Sequence, residues 1–376
     1  MTTLTRDLLF SLVIAVFCAL LFFLDIGGIP AAPSGIRCRG LVAEADNSRV
    51  RTNLIVKTNI QQLTVELLGG PHKGAQIQVV NMLTGKMELD EVYEKGQVIL
   101  IEYDAPAGQP QNALARGHFR LGLQLTLITL FGLLLLAVAG PTGLKAILSF
   151  LLAALVLWKL FFPLMLRGFA PIPTGLSMVA LLTGVICFAV GGLTRRGLAA
   201  FAGSMLGIGL TCGLAALFTH LFRLHGAVRP FAEMLLYSGY YQLDLNGIFI
   251  ASVFLACSGA VMDLAMDIAA TMDELKYRQP GIGRIEHMRS GLRVGRAVTG
   301  TMTTTLLLAY SGSHITMFMV FIAKGLPPAN LLNAPFVAAE ILNILVGSFG
   351  VIAVAPCTVV IAALLYDDKN DTLPIS

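Results

Sequence analysis

Long apolar runs separated by short polar segments dominate the pattern of this chain. Each run is about as long as a helix that crosses a ~30 Å hydrocarbon core. The last two runs are long enough to tilt, bend or begin at the membrane surface. The pattern predicts a polytopic α-helical membrane protein with about eight transmembrane helices. The runs occupy residues 8–24, 121–139, 144–166, 176–193, 198–221, 248–270, 298–323 and 336–366.

The first run predicts an N-terminal transmembrane anchor over residues 1–30. A cleaved signal peptide is the alternative, because Ala31 and Ala32 are small residues of the kind found at cleavage sites. The run is longer than the usual apolar region of a signal peptide, which has roughly 7–15 residues, and Asp25 and Pro30 interrupt the cleavage pattern. An uncleaved anchor is therefore the preferred interpretation.

Residues 31–117 have a different pattern, in which apolar and polar positions alternate over short segments. LIVKT, QLTVELL, AQIQVVNML and QVILIEY are separated by turns that contain glycine, which is typical of β-strands. They predict a small barrel of the SH3 or OB type, followed by the linker AGQPQNALARG and a seven-helix transmembrane domain over residues 118–376. Few aromatic residues and mixed charges argue against nucleic-acid binding. One packed face would contain Val65, Leu67, Ile77, Val79, Val98, Leu100 and Tyr103.

Composition agrees with a membrane protein and gives no sign of an enzyme. Hydrophobic residues make up 56% of the chain and charged residues 13%, against about 25% charged in soluble domains. Among the six cysteines, only Cys38 lies in the polar N-terminal region, and no CxxC motif predicts a disulfide framework or a zinc site. Walker, HExxH and GxSxG motifs are also missing from the sequence, so we assign no catalytic, metal-binding or cofactor-binding residue.

The lysine and arginine residues of the short loops predict the orientation of the chain in the cell membrane. With the N-terminus inside, eleven basic residues are cytoplasmic and five lie outside, so both termini should be cytoplasmic and the β domain external. The cytoplasmic set is Arg6, Lys145, Arg195, Arg196, the six basic residues of 276–296, and Lys369. The outer set is Lys159, Arg167, Arg223, Arg229 and Lys324.

Two aspartates interrupt the sixth apolar run. Asp263 and Asp267 share a helical face with Gly259, Thr271 and Glu274, because these residues are three or four positions apart. A span that begins at residue 248 places Asp263 ~24 Å below the outer boundary, within hydrocarbon. A charged aspartate there costs ~2.5–3.5 kcal/mol unless it faces protein or water. Asp263 and Asp267 are therefore candidates for an ion, proton or substrate site.

A structural role is the alternative for this pair. Arg293 and Arg296 lie at the start of the next span, where either arginine could form an ion pair with Asp263. Asp267 lies closer to the interface than Asp263, and there a solvated carboxylate needs no partner.

Three further polar residues complete the candidate site. Glu340 and Asn343 share one face of the last span, and His314 lies in the seventh span, which is rich in hydroxyl residues. A solvated carboxylate at the helix end is the alternative for Glu340. Helix packing is the alternative for the hydroxyl residues. His314 can titrate near neutral pH, but a lone histidine does not predict a metal site.

Several segments together resemble the YibE/F family of membrane proteins over nearly the whole chain. They are GAVMDLAMDIAATMDELKYRQP, GRAVTGTMTTTLLLAYSGS, NAPFVAAEILNILVGSFGVIAVAPCTVVIAALLY and, in the β region, VELLGGPHKGAQIQVVNMLTGKMELD with KGQVILIEY. The resemblance implies an N-terminal anchor, a small external β domain and a multi-span C-terminal region. It brings no established substrate and no functional residue. The chain has Gly96 and Gln97 where the family often has a Gly-Asp pair.

Two hypotheses for function follow. The first is a secondary permease or exporter in which the last three spans form a polar seam for a small solute or ion. The second is an envelope scaffold or sensor, whose external barrel binds a partner while the helices serve as anchor and oligomer interface. Intramembrane ionisable residues favour the first hypothesis, and the external domain favours the second. The expected partners are membrane lipids, a solute or ion, and a second copy of the chain or a related membrane subunit.

Overall fold

The computed structural model describes residues 3–24 and 35–366, without the side chains of residues 3–10 and Ala107. Ala31, Ala32 and Lys369, which entered the predictions of cleavage and topology, lie outside the described residues. The chain divides into two compact units. One is formed by Met1–Gly28 and Leu135–Ser376, and the other by Ile29–Leu134. We call them the helical unit and the β unit.

The β unit contains a barrel, which confirms the barrel-like domain predicted from the sequence. Its strands are β1 (Ile36–Asp46), β2 (Arg51–Asn53), β3 (Val56–Leu67), β4 (Gln76–Thr84), β5 (Val98–Asp104) and β6 (Gln111–His118). Their order is β1-β5-β6-β4-β3-β2, and an additional β1–β3 pairing joins the two sides of the sheet. Only the β4–β6 pair is parallel among the described pairings. The five strands β1, β5, β6, β4 and β3 close into a Greek-key barrel of the OB type, and among the described strands the short β2 pairs only with β3.

The strand alternation identifies the barrel core, except in β5. Leu63, Val65 and Leu67 are fully buried on β3, as the period of two requires. On β5, however, the fully buried residues are Ile99 and Ile101. The prediction that Val98 and Leu100 face the core was wrong, because the first four residues of β5 are all aliphatic and the alternation carries no signal there.

The helical unit supplies the hydrophobic helices. They are α1 (Thr3–Phe23), α2 (Leu121–Val156), α3 (Phe162–Leu166), α4 (Pro171–Gly191), α5 (Arg195–Leu221), α6 (Ala232–Tyr237), α7 (Leu245–Arg278), α8 (Arg284–Ser313), α9 (Ile315–Ala323), α10 (Pro328–Asn333) and α11 (Pro335–Leu365). The first part of α2 belongs to the β unit. Within the described chain, five helices are long and apolar enough to cross a membrane, or six if α8 and α9 form one span.

The chain reverses inside α2. Gly140 has φ 56° and ψ −132°, outside the helical region, and Pro141 follows it. A Cβ on Gly143 would lie 2.5 Å from the carbonyl oxygen of Leu135. In a straight helix, residues eight positions apart are separated by ~12 Å along the axis. The helical path of α2 is therefore broken at Gly140 and turns back sharply between Leu135 and Gly143.

Small residues bring α5 and α11 together at the centre of the helical unit. A Cβ on Gly203 would lie 2.1 Å from Oγ1 of Thr358, and a Cβ on Gly350 would lie 2.0 Å from Oγ1 of Thr211. Neither glycine could carry a side chain without moving the helices apart. Such close approach is the usual mode of helix association in membranes. It holds α11 beside α7, whose Val261, Leu264 and Ile268 are completely buried.

The seventh apolar run is not one straight helix. The axes of α8 and α9 differ by 65°, and the break falls at His314. Ser313 Oγ donates to the Tyr310 carbonyl at 2.8 Å, and His314 Nδ1 lies 3.1 Å from the same oxygen. Side chains that bond the preceding turn compete with the regular backbone pattern. The single span expected over residues 298–323 is thus bent at the residue that enters the candidate site.

Candidate functional site

A cavity of about 560 Å³ lies in the helical unit, where the last three predicted spans meet the segment before α7. The beginning of α7 and the end of α8 form two of its walls, and Asn343 of α11 contributes to a third. The remaining wall is the segment that contains Arg229 and Phe231. Two of the predicted site residues, His314 and Asn343, line this cavity. A third, Glu340, contacts two of the lining residues.

The segment before α7 holds Arg229 in place because both of its ends are anchored. Asp244 caps α7 by accepting a hydrogen bond from the backbone of Gly247 at 2.9 Å, as N-cap residues do. Asn246 Oδ1 accepts another from the backbone of Gly226 at 2.7 Å. A Cβ on Gly226 would lie 1.9 Å from the Leu245 carbonyl oxygen. The segment therefore lies tightly against the start of α7, three residues before Arg229.

Glu340 is the charged centre of the site. Its side chain is 5% exposed, and Oε1 contacts both Nη1 of Arg229 at 2.5 Å and Nε2 of His314 at 3.2 Å. The Arg229 guanidinium also lies over the Phe249 ring, 5.1 Å from its centroid. A buried carboxylate requires such partners because desolvation strongly disfavours an isolated charge. The cation–π contact helps to fix the arginine against α7.

His314 links the end of α8 to Glu340. Nδ1 lies 3.1 Å from the Tyr310 carbonyl oxygen and 3.2 Å from Ser313 Oγ, and a neutral imidazole carries its hydrogen on one of the two ring nitrogens. Nε2 lies 3.2 Å from Glu340 Oε1. A hydrogen on Nε2 makes this contact a hydrogen bond to the carboxylate.

Three buried polar atoms around the cavity have no hydrogen-bond partner among the described residues. They are Glu340 Oε2, Asn343 Oδ1 and the hydroxyl of Tyr310. Leaving a buried polar group unpaired costs about 1–3 kcal/mol, and most such groups in native proteins are paired. Because all three atoms are buried, they lie beneath the accessible surface of the cavity and not on it.

Asp263 and Asp267 occupy a different part of the helical unit. Both are exposed, and Asp263 is ~16 Å along α7 from Ser252, a cavity residue. They nevertheless share a helical face with the α7 residues of the cavity wall, because Ser252, Ala256, Gly259 and Asp263 are three or four positions apart. The predicted site is therefore divided along one face, with the cavity at one end and the aspartates at the other.

The structure does not join Asp263 to the arginines proposed as its partners. Arg293 and Arg296 are exposed on α8. No ion pair connects either of them with Asp263 in the described part of the chain. On the same part of the chain, no group of three or more His, Cys, Asp or Glu side chains could hold a metal ion.

Sequence reasoning missed Arg229 and used it only as a loop charge for topology. Its partner Glu340 is 111 residues away, and one sequence gives no signal for so distant a pairing. Tyr310, four residues before His314, was also missed. The Tyr310 carbonyl and hydroxyl both belong to the site, since the first contacts His314 and the second is one of the unpaired atoms.

Two family models match the chain. The model described as YibE/F-like protein covers residues 127–368, which is well over half of the chain and includes the whole cavity. The model of the YibE/F family N-terminal domain covers residues 43–115, most of the barrel. No curated protein matches the chain, and no solved structure does. The two matches show that this chain is a membrane protein of the YibE/F family.

Proposed function

We propose that this protein is a secondary permease for a small solute or ion, and that the Arg229–Glu340–His314 cavity is its binding site. One observation carries the proposal. A buried glutamate contacts an arginine and a histidine of the cavity wall through one oxygen, while its other oxygen and two neighbouring polar atoms remain buried and unpaired next to the cavity. Ionisable side chains inside a membrane domain are costly and usually mark transport or proton pathways.

The contact between His314 and Glu340 gives this cavity a means of coupling, since either side chain can carry a proton there. While Glu340 is charged, it forms the ion pair with Arg229. If Glu340 binds a proton, Arg229 loses its counter-charge and becomes available to an anionic group of a solute. A site in which a proton on Glu340 frees the arginine for the solute links the two binding events by thermodynamic necessity.

The aspartates on α7 extend this proposal into a path. Ala256, Gly259, Asp263 and Asp267 are exposed in the described chain and follow the cavity along one face of α7. A charged face in hydrocarbon is stable only beside water or protein. We infer that the face lines the route between the cavity and the cytoplasm, with Asp263 as a second proton or cation site.

The transmembrane arrangement belongs to the same proposal. The break at Gly140 divides Leu121–Leu166 into two spans, α8 with α9 counts as one, and α1 is an anchor. Added to the four other long apolar helices, these give eight spans in the cell membrane, with cytoplasmic termini and an external barrel. Packing of Ile14, Cys18 and Leu21 of α1 against Leu152 and Val156 of α2 supports α1 as part of the bundle.

The proposal is tested with purified protein in liposomes on a solid-supported membrane, which records charge movement during transport. The liposomes are challenged with proton gradients and with amino acids, carboxylates, sugars, Na⁺ and K⁺ in turn. We expect at least one challenge to give a current above that of empty liposomes. Glu340→Gln should reduce it at least tenfold, because the amide can neither bind the proton nor balance Arg229.

Glu233→Gln is the matched control, since Glu233 is exposed on the neighbouring α6 and should leave the current unchanged. Thermal unfolding of both variants in detergent shows whether they are folded. A current that is equally large in folded Glu340→Gln contradicts the binding site. No current under any challenge contradicts the permease itself.

An envelope sensor or scaffold is the second candidate, and one observation favours it. The β unit has an open groove of about 690 Å³ lined mainly by polar residues, among them Glu44, Asp46, Gln62 and Glu94. Under this hypothesis, the barrel groove binds an external partner and the cavity of the helical unit is incidental. In cells that lack the gene, a variant with reversed charges in the groove should then fail to restore the wild-type phenotype, while Glu340→Gln should still restore it. The permease predicts the opposite pattern.

A further inference from the structure

The tip of the β2–β3 hairpin exposes two large aliphatic side chains to solvent. Leu54 is 98% exposed and Ile55 is 75% exposed, and they form the two-residue loop between paired Asn53 and Val56. Leu54 has φ 57°, a left-handed conformation that such loops normally assign to Gly, Asn or Asp. Neither burial nor backbone preference explains leucine here.

A second exposed apolar segment lies beside the hairpin. Met87 is 65% exposed and Leu89 is 50% exposed, although their loop is ordered by Asp90, which accepts hydrogen bonds from the backbones of Gly85 and Lys86. The loop packs against the hairpin, since a Cβ on Gly85 would lie 3.4 Å from Val56 Cγ1. We call Leu54, Ile55, Met87 and Leu89 the apolar tip of the barrel.

Basic residues surround the apolar tip. Arg51, Lys57 and Lys86 are exposed on the two loops or next to them. The acidic residues of the same segments are Glu88 and Asp90, and the carboxylate of Asp90 is engaged by its own loop. An apolar tip within a basic ring has the character of segments that insert into an anionic membrane surface.

The strand register places the apolar tip at the end of the barrel from which α2 departs. β4 and β6 run parallel, with Val80 opposite Leu114, so Thr84 and His118 lie at the same level, four residues further along. Thr58 pairs with Thr84, and the hairpin extends beyond that level to Leu54. From His118, the chain reaches the start of α2 at Leu121 after only two residues. Hairpin tip and helix start are thus at one end of the β unit.

The geometry points to direct contact between the apolar tip and the bilayer that α2 enters, with Leu54 and Ile55 inserted among anionic lipid headgroups. The occupant of this surface is a lipid membrane, and the basic ring specifies acidic lipids. The contact would give the barrel a second attachment besides its covalent link to α2. It is independent of which solute the helical unit binds.

Fluorescence quenching in nanodiscs tests this contact on the full chain. A cysteine replaces Ile55 and carries an environment-sensitive fluorophore, and the lipids carry bromine on their acyl chains. The native cysteines of the chain are buried or half-buried. With brominated phosphatidylglycerol, we expect quenching of at least twofold at position 55. In brominated phosphatidylcholine the quenching should be weaker, and Arg51→Gln with Lys57→Gln should lower it further.

Lys73 provides the matched control, because it is exposed in the β3–β4 turn, at the other end of a strand ~40 Å long. A fluorophore at position 73 should show no bromine quenching. Equal quenching at the two positions, or none at position 55, overturns the proposal. A blue shift at position 55 without bromine quenching, together with energy transfer between two labelled copies, overturns it in favour of a contact between copies.

Discussion

The β unit and the helical unit treat their buried polar groups in opposite ways. In the barrel, the Gln61 amide is completely buried and its hydrogen-bonding groups are used. Its Nε2 donates to Asn47 Oδ1 at 2.8 Å and to the Tyr93 carbonyl at 2.7 Å. Its Oε1 accepts from Asn81 Nδ2 at 3.0 Å and from the Tyr93 backbone at 3.1 Å. This network fixes the segment around Tyr93 to β3 and β4.

In the helical unit, by contrast, buried polar atoms remain unpaired. Within the described residues, every buried side-chain atom without a hydrogen-bond partner lies in this unit, and three of them surround the cavity. A network that is fully paired makes a fold more specific, whereas an unpaired group in low dielectric costs free energy. The polar groups of the barrel therefore serve its fold. Those around Glu340 are the groups to which the proposed permease assigns solute binding.

The largest expected effect comes from removing the cation beside Glu340. Arg229→Gln leaves a buried carboxylate without its principal partner, and breaking a buried ion pair in this way costs about 3–5 kcal/mol. The apparent melting temperature in detergent should fall accordingly. The double variant Arg229→Gln with Glu340→Gln should recover much of the loss. Arg223→Gln is the control, because Arg223 is exposed six residues earlier. An Arg229→Gln protein as stable as the control would contradict the buried pair.

The second prediction concerns the barrel network. Gln61→Leu removes all four hydrogen bonds and leaves Asn81 and the Tyr93 backbone with lost partners, at a cost of about 2–3 kcal/mol. Hydrogen exchange of the full chain, resolved by mass spectrometry, should show faster exchange throughout residues 36–118. Gln62→Leu, on the other face of β3, should change the free energy of opening that hydrogen exchange reports by less than about 0.5 kcal/mol. Similar exchange in both variants would show that the network does not hold the barrel together.

A smaller effect is expected from pH in the β unit. Burial raises the pKa of Glu91, but the Arg120 guanidinium and the backbone N–H of His118 outweigh it, so the pKa lies below its ordinary 4.5. A lowered pKa means that the folded state binds fewer protons than the unfolded state. The stabilisation is therefore complete above pH 4.5 and decreases as pH falls through the pKa of the folded protein.

Glu91→Gln should remove this dependence. We expect the variant to be about 1 kcal/mol less stable at neutral pH and to lose less stability than the wild-type protein on acidification below pH 4.5. Hydrogen exchange of the β unit, measured at neutral pH and below pH 4.5, gives both stability differences. Exposed Glu88 is the control position. Parallel pH profiles for wild type and Glu91→Gln would show that the contacts with Arg120 and His118 do not stabilise the fold.

The two units also differ in how far the sequence predicted them. Alternation identified the barrel, since a period of two depends only on neighbours in the chain. It failed for the core face of β5, where consecutive aliphatic residues leave no contrast. In the helical unit, hydropathy located the apolar segments but not the 65° bend at His314, because hydropathy records how apolar a segment is and not whether its backbone continues straight.

The candidate site was predicted only in part, because the sequence does not show which polar residues meet in the folded chain. Glu340, Asn343 and His314 were chosen as polar residues in apolar surroundings, and the structure brings these three together. Asp263 and Asp267 met the same criterion but lie elsewhere on α7. Composition shows that a polar residue in a span needs a partner, but the identity of the partner depends on tertiary packing. Arg229 was missed because its position follows from the Gly226 and Asn246 contact with α7.

The smallest effect on stability is expected at Asp263, and it separates the two roles considered for this residue. Asp263 is exposed and forms no ion pair with Arg293 or Arg296 in the part of the chain that the structure describes. Asp263→Asn should therefore change the free energy of unfolding by no more than an ordinary surface substitution does, about 0.5 kcal/mol, and the melting temperature should hardly move. If either arginine depended on it, the loss would instead approach ~3–5 kcal/mol, and Arg293→Gln or Arg296→Gln would restore stability.

The same variant should still alter transport, because a carboxylate on the path can exchange protons and an amide cannot. We expect the transport current of Asp263→Asn to lose its dependence on pH while the protein stays as stable as wild type. Asp267→Asn, one turn nearer the end of α7, should change the pH profile less. Destabilisation of Asp263→Asn that is rescued by an arginine variant would make this aspartate structural, like the buried amides of the barrel. An unchanged pH profile in a stable protein would remove Asp263 from the path and leave Glu340 as the proton site.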